Sequence, residues 1–233
     1  MLLLKDSKVG TLTEHELTMV LKVAGFPEEA EVALPAEGDR ADMHKPGWVC
    51  FYTYPFRVGH VFPFSPLVQS LLRHFNIAPG QLMPHSWRVL RVLEEVVKKH
   101  DLPFGLADLM YSYFLNPSGP GRFILQLKPS QGTLVLGTKA GDRGWNNKFF
   151  FVRVDSLGGA GGDFLSTQWV SAGIVNLGVP SFCSLFRLLF PSVPDSSDVF
   201  RGSPGVSAHA GGVGRSNGSA DADSYWGSDL QYP

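Results

Sequence analysis

The stretch SPLVQSLLRHFNIAPGQLMPHSWRVLRVLEEVVKKH, residues 65–100, shows two helices and the break between them, and the elements on either side are placed relative to it. Ser65 offers a capping oxygen and Pro66 a preset first-turn dihedral. Val68, Leu71, Leu72 and Phe75 then fall at i, i+3, i+4 and i+7, the spacing of one helical face, and the helix closes near Asn76. A second helix is predicted from about Pro84 to about His100, with Val89, Val92, Leu93, Val96 and Val97 on its inner face. Glu94 with Lys98 and Glu95 with Lys99 stand at i,i+4 in the favourable order and mark the expected outer face.

On the C-terminal side, Leu106, Leu109, Met110 and Tyr113 repeat the helical spacing until Asn116 and Pro117 stop it. After Gly119-Pro120-Gly121 the period changes to two. Phe123, Leu125 and Leu127 alternate with Ile124, Gln126 and Lys128 as in a half-buried strand, and Leu134–Leu136 and Lys148–Val154 read as two more. An antiparallel meander packed on the helices is expected. On the N-terminal side, the aromatic run WVCFYTYPFRVGHVFPF, residues 48–64, holds two prolines, Pro55 and Pro63, that forbid one long helix but allow a short one over Val49–Tyr54. Farther out, Thr13 with Glu16 forms a capping box, and Leu17, Val20, Leu21 and Ala24 make an apolar stripe ended by Gly25 and Pro27. Residues 27–46 are acidic and dotted with proline and glycine, as in a loop or linker.

The expected fold class is therefore α+β: about four helices with a small antiparallel β-meander, followed by a flexible Gly/Ser-rich C-terminal tail. Three regions follow. Residues 1–46 carry the N-terminal helix and acidic linker, 47–155 the folded domain, and 156–233 a low-complexity tail. From Leu157 the composition shifts to glycine, and after Gly202 the chain is mostly Gly, Ser, Ala and Asp, too poor in apolar surface to offset its ordering entropy, so the tail is expected to be largely disordered.

Composition narrows the function. The chain is 44% hydrophobic and 12% aromatic, enough for a core over 233 residues, with a net charge of -1. The charge is unevenly spread: the three regions, divided at Pro46 and Val154, carry nets of -4, +7 and -4. A basic middle between acidic flanks reads as a nucleic-acid face, as a shielded face, or as ordinary solvated surface. Cys50 and Cys183 are far apart and lack the paired spacing of a zinc site, which suits a reducing, intracellular setting with nucleus or cytoplasm undetermined. Met1–Gly10 has too short an apolar run for a secretory leader. The stretch Val170–Phe190 contains Asn176, Pro180 and Arg187 and falls short of about 18 uninterrupted apolar residues, so no membrane span is expected.

Several motifs in the middle occur together. They are Arg57-Val58-Gly59 followed by Val61-Phe62-Pro63-Phe64-Ser65-Pro66, then the helix bearing Leu71, Leu72 and Phe75. Next come Ile77-Ala78-Pro79-Gly80-Gln81-Leu82-Met83-Pro84-His85-Ser86-Trp87-Arg88 and, last, Gly144-Trp145-Asn146-Asn147-Lys148-Phe149-Phe150-Phe151-Val152. In order and spacing this set resembles the gypsy-type transposon ("transposase, gypsy type") domain of plants, a retrotransposon-derived family, over somewhat under half the chain. Pro55 and Asn146-Asn147 depart from the family pattern, and the resemblance stops beyond Asp155. It implies an origin in mobile elements and no demonstrated reaction.

A retroviral-type strand-transfer site needs carboxylates converging on two divalent metals about 3.5–4 Å apart. Asp101 and Asp108 read instead as charges near helix N-termini, and Asp142 as a turn former. Cys50 sits in an aromatic run and reads as a small hydrophobe. His60, His74, His85 and His100 lack metal-ligand spacing, and no glycine cluster has the form of a phosphate loop.

No catalytic, cofactor or metal residue is assigned, and no small-molecule substrate is implied. The leading functional expectation is a non-catalytic structural or interaction protein, gag-like in self-association, with Phe75, Trp87 and Trp145 as packing anchors. The alternative is a nucleic-acid-binding module using Arg73, Arg88, Arg91, Lys98 and Lys148, of which Arg88, Arg91 and Lys98 share one helix face. A metal-dependent transposase or integrase is the least supported reading.

Overall fold

The computed structural model describes residues 8–119, 121–128, 143–158 and 162–170. Helix α1 (Glu14–Ala24) starts at the expected capping box: Thr13 Oγ1 accepts from Glu16 N at 3.3 Å and Glu16 Oε2 from Thr13 N at 2.9 Å. It ends at Gly25, whose φ of 73° is the left-handed conformation that glycine adopts without strain. Val20 and Ala24 are buried in the core, with Leu17 and Leu21 packed against it.

Strand β1 (Val32–Ala33) and strand β2 (Trp48–Tyr52) precede the short helix α2 (Tyr54–Arg57). Helix α3 (Pro66–Phe75) has the expected Ser65 cap and Asn76 as its left-handed end, and buries Val68, Leu71, Leu72 and Phe75. A 3-10 turn (Pro79–Gln81) leads into helix α4 (Pro84–His100), and helix α5 (Leu106–Ser112) runs directly into strand β3 (Tyr113–Pro117). Strands β4 (Phe123–Leu127) and β5 (Phe149–Arg153) follow, and a 3-10 turn (Val154–Leu157) closes the series. The class is α+β: helices with small antiparallel sheets.

The strands do not form one meander. Strand β4 pairs with β3, whereas β5 is the centre of a separate antiparallel sheet in the order β1-β5-β2, with Val32 opposite Val152 and Phe51 opposite Phe150. The reason lies in β5. Phe149, Phe150, Phe151 and Val152 are all buried, so the strand is covered on both faces and needs a neighbour along each edge. Phe150 lies 6.0 Å from Phe51 and 6.1 Å from Phe56, while Phe149 lies 5.7 Å from Phe151 and 6.0 Å from Tyr52 on the other face. The third expected strand, Leu134–Leu136, lies outside the described residues.

Four local expectations change for related reasons. Trp48–Tyr52 is a strand because β5 recruits it, and the short helix shifts to Tyr54–Arg57, where Pro55 occupies a first-turn position. The helix expected to reach Asn116 stops at Ser112, because Tyr113–Pro117 is pulled into the hairpin with β4. Residues 27–46 are no free linker: β1 pairs with β5, and Arg153 N donates to Glu31 O at 2.9 Å. The sheet thus joins residues on both sides of position 47. On α4, the buried face is Trp87, Val89, Leu90 and Leu93, whereas Val92 and Val96 are 41% and 43% exposed. Among the described residues no helix is long and apolar enough to cross a membrane, and residues 171–190 of the candidate stretch lie outside them.

Candidate functional site

Two buried polar clusters flank the Pro84 end of α4. The first centres on Gln81, which is fully buried. Proline at 79 starts the 3-10 turn that points the side chain inward, and Gln81 Oε1 accepts from Ala78 N at 3.1 Å. Its Nε2 donates to Gly121 O at 2.8 Å, in the β3–β4 turn, and to Val170 O at 3.0 Å; Oε1 also accepts from Val170 N at 3.2 Å. One carboxamide therefore satisfies backbone groups from three separate segments, and each of them would be costly to leave bare in the interior.

Gly80 allows the same crossing. A Cβ there would stand 3.2 Å from Cys50 O and 3.2 Å from Trp169 Cζ2, so any side chain would push β2 and the 162–170 segment apart. Phe164 is buried 6.2 Å from Phe62 and 6.3 Å from Phe64. Residues 162–170 are thus part of the folded body, which moves the domain edge beyond the expected position 155.

The second cluster joins α4 to the loop before α3. His60 is buried, with Nε2 2.9 Å from Trp87 O and Nδ1 3.3 Å from Glu94 Oε2. Ser65 Oγ donates to Glu94 Oε1, so the residue that caps α3 also ties down α4. A carbonyl can only accept, which places a proton on Nε2 and turns Nδ1 toward the carboxylate. Burial works to raise the Glu94 carboxyl, but the hydrogen bond and charge of His60, with Ser65 and Arg91, outweigh it and hold the group below the ordinary carboxylate range. The carboxylate bridges serine and histidine, whereas a nucleophilic triad needs the histidine beside the hydroxyl.

The expected basic set is dispersed in role. Arg91 pairs with Glu95 and lies 3.9 Å from Glu94 Oε2, so the anticipated Glu94–Lys98 and Glu95–Lys99 pairs give way to Arg91, one turn earlier, and to the buried His60. Lys148 Nζ is bound to Glu16 at 2.7 Å and 2.8 Å and to Thr11 O at 3.0 Å, latching α1 onto the start of β5. Its hydrogen bond is the main cause that lowers the Glu16 carboxyl. Arg88 is half-buried, and burial with the charge of Arg88 lowers the neighbouring His85. Arg73 on α3 and Lys98 on α4 remain exposed.

Of the three carboxylates, the two that are described serve separate helix ends. Asp101 is the left-handed C-cap of α4 with φ 48°, a conformation aspartate tolerates, so it sits at a helix C-terminus and not near an N-terminus as expected. Asp108 Oδ2 accepts from Gly105 N at 2.9 Å and closes the first turn of α5, while Asp142 lies outside the described residues. Among the described residues no group of three His, Cys, Asp or Glu side chains could hold a metal ion. Cys50 is buried and its thiol is pushed well above its ordinary value, chiefly by burial, so it stays protonated within the core.

The Gln81–Val170 connection is not among the sequence-based expectations. A signal is present: Phe164, Leu165 and Trp169 interrupt a stretch otherwise rich in glycine and serine, and exposed tails carry few such residues. Comparison of the chain with protein-family models, with curated proteins and with solved structures finds no match in any of the three.

Proposed function

We propose that the chain is a non-catalytic structural and interaction protein of the retrotransposon-derived kind it resembles, acting through protein–protein contact with gag-like self-association. The observation that carries this reading is the use made of the motif residues. Gln81, Leu82 and Trp87 from one motif, and Phe149–Val152 from the other, are all buried and joined to neighbouring elements. Side chains spent on a tightly packed interior are positioned for shape and not for turnover. Phe75, Trp87 and Trp145 likewise lie in the core, as packing anchors do. The test is sedimentation velocity of the full chain over a wide concentration series. A sedimentation coefficient that rises with concentration is expected, and a monomer throughout would overturn the proposal.

Nucleic-acid binding is a second reading, favoured by the exposed cations Arg73, Lys98 and Lys99. If they bind phosphate, affinity for DNA or RNA falls steeply with salt, and alanine at Arg73 and Lys98 flattens that slope by roughly one ion for each side chain replaced. Affinity that is absent or indifferent to salt rejects this reading. Lys148 should contribute little to it, since Glu16 already holds its ammonium.

A further inference from the structure

The interaction proposed above leaves open which surface is used, and the contacts of residues 162–170 bear on that. Phe164 enters the pocket beside Phe62 and Phe64, and Trp169 lies against Gly80. Between them the segment makes short internal bonds, Leu165 N to Gly162 O and Ser166 Oγ to Gln168 O, both at 3.0 Å. At its end the Gln81 carboxamide accepts from Val170 N and donates to Val170 O. That two-bond exchange is the one a residue in a strand makes with its neighbour, here offered by a side chain fixed in the interior. Two aromatic anchors and a backbone-reading amide are the elements by which proteins recognise extended peptides.

We propose that Gln81, Gly80, Phe62 and Phe64 form a peptide-recognition groove, filled within one chain by its own residues 164–170, and that its occupant in the self-associated protein is the same segment of a second copy. The groove fits this sequence by direct observation, and a second copy carries an identical segment. Exchange then conserves every contact while joining two chains, which makes it a low-cost route to a dimer. In the sequence, residues 158–162 supply four glycines and an alanine before Asp163 and Phe164, so the connection brings no large side chain that would compete for the aromatic pocket.

The inference rests on the self-association reading, and two measurements on the full chain separate them. In the first, a fluorescent synthetic peptide of residues 162–170 is titrated into wild type, into Phe164→Ala/Trp169→Ala, and into that double variant with Gln81→Ala added. The double variant keeps the groove and weakens the internal occupant, so it binds the peptide at least about tenfold more tightly than wild type, whose groove is occupied. Adding Gln81→Ala removes most of that gain. No binding to a double variant whose circular dichroism matches wild type overturns the groove.

In the second, sedimentation velocity compares wild type with Phe164→Ala/Trp169→Ala. Loss of the larger species is expected. Self-association that persists unchanged overturns the exchange while leaving the proposed function intact, and a wild type that is monomeric throughout overturns the proposed function itself. Hydrogen exchange on wild type keeps the inference testable if the double variant fails to fold. The amides of 164–170 should exchange well before those of Phe149–Val152, and simultaneous exchange would make the segment a fixed part of the core.

Discussion

The Gln81 cluster and the His60–Glu94–Ser65 cluster both join parts of the chain remote in sequence, yet they work by different physics. Gln81 ties the 3-10 turn to the β3–β4 turn and to Val170 with a neutral amide whose hydrogen bonds are indifferent to pH and salt. The second cluster ties the α3 cap to α4 through the Glu94 carboxylate, so its strength follows the proton on that carboxyl. Burying a polar group can thus serve two ends. The neutral site gives a join that pH does not alter, whereas the charged one gives a join that acid can undo.

The strongest way to break this contrast is Gln81→Ala, which leaves Ala78 N, Gly121 O and both backbone groups of Val170 short of partners. A loss of about 2–4 kcal/mol is expected from urea unfolding. The loss should be the same at neutral and acid pH, and a loss that changes with pH would show that the site is not neutral in effect.

Glu94→Gln comes next, with an expected cost of about 1–3 kcal/mol at neutral pH, because His60 and Ser65 lose a charged partner. The folded state holds the Glu94 carboxyl below its ordinary value of 4.5, so its contribution is fully present above that value and disappears as pH falls through the lowered folded value. Wild type and E94Q should therefore converge in stability in acid. Parallel curves from neutral pH to about pH 3 would remove Glu94 from the acid response.

Gly80→Ala sharpens the comparison by testing packing without touching either polar set. Its Cβ would press on Cys50 O and the Trp169 ring, and a cost of about 1–2 kcal/mol is expected, with faster hydrogen exchange confined to residues 164–170. The smallest effect belongs to Lys148→Met, which removes the partly exposed pair with Glu16. About 0.2–1 kcal/mol should be lost in low salt and most of that difference should vanish in high salt, as thermal melts can read.

The helices are the most legible part of the sequence. The Thr13 capping box, the Ser65-Pro66 start and the Pro84 start each combine a cap with a local periodicity, and local signals survive folding. The face of α4 is less legible. Val92 and Val96 fit the apolar spacing as well as Val89 and Leu93 do, but Trp87 and Leu90 won the interior, and burial followed their larger side chains. The candidate sites are hardest to see. His60 and Glu94 are 34 positions apart, and Gln81 and Val170 are 89 apart, so no window of neighbouring residues contains either pair.

By itself, then, the sequence determined where α1, α3 and α4 begin, that the class is α+β, and that Lys148–Val154 holds a strand, because capping chemistry and apolar runs act over a few residues. Tertiary structure decided the partners of β5, the switch of Tyr113–Pro117 from helix to strand, and the return of Phe164–Val170 onto Gln81. Those choices depend on which surfaces are left uncovered once the helices pack, and an unpaired strand edge or buried carbonyl takes its partner from anywhere along the chain.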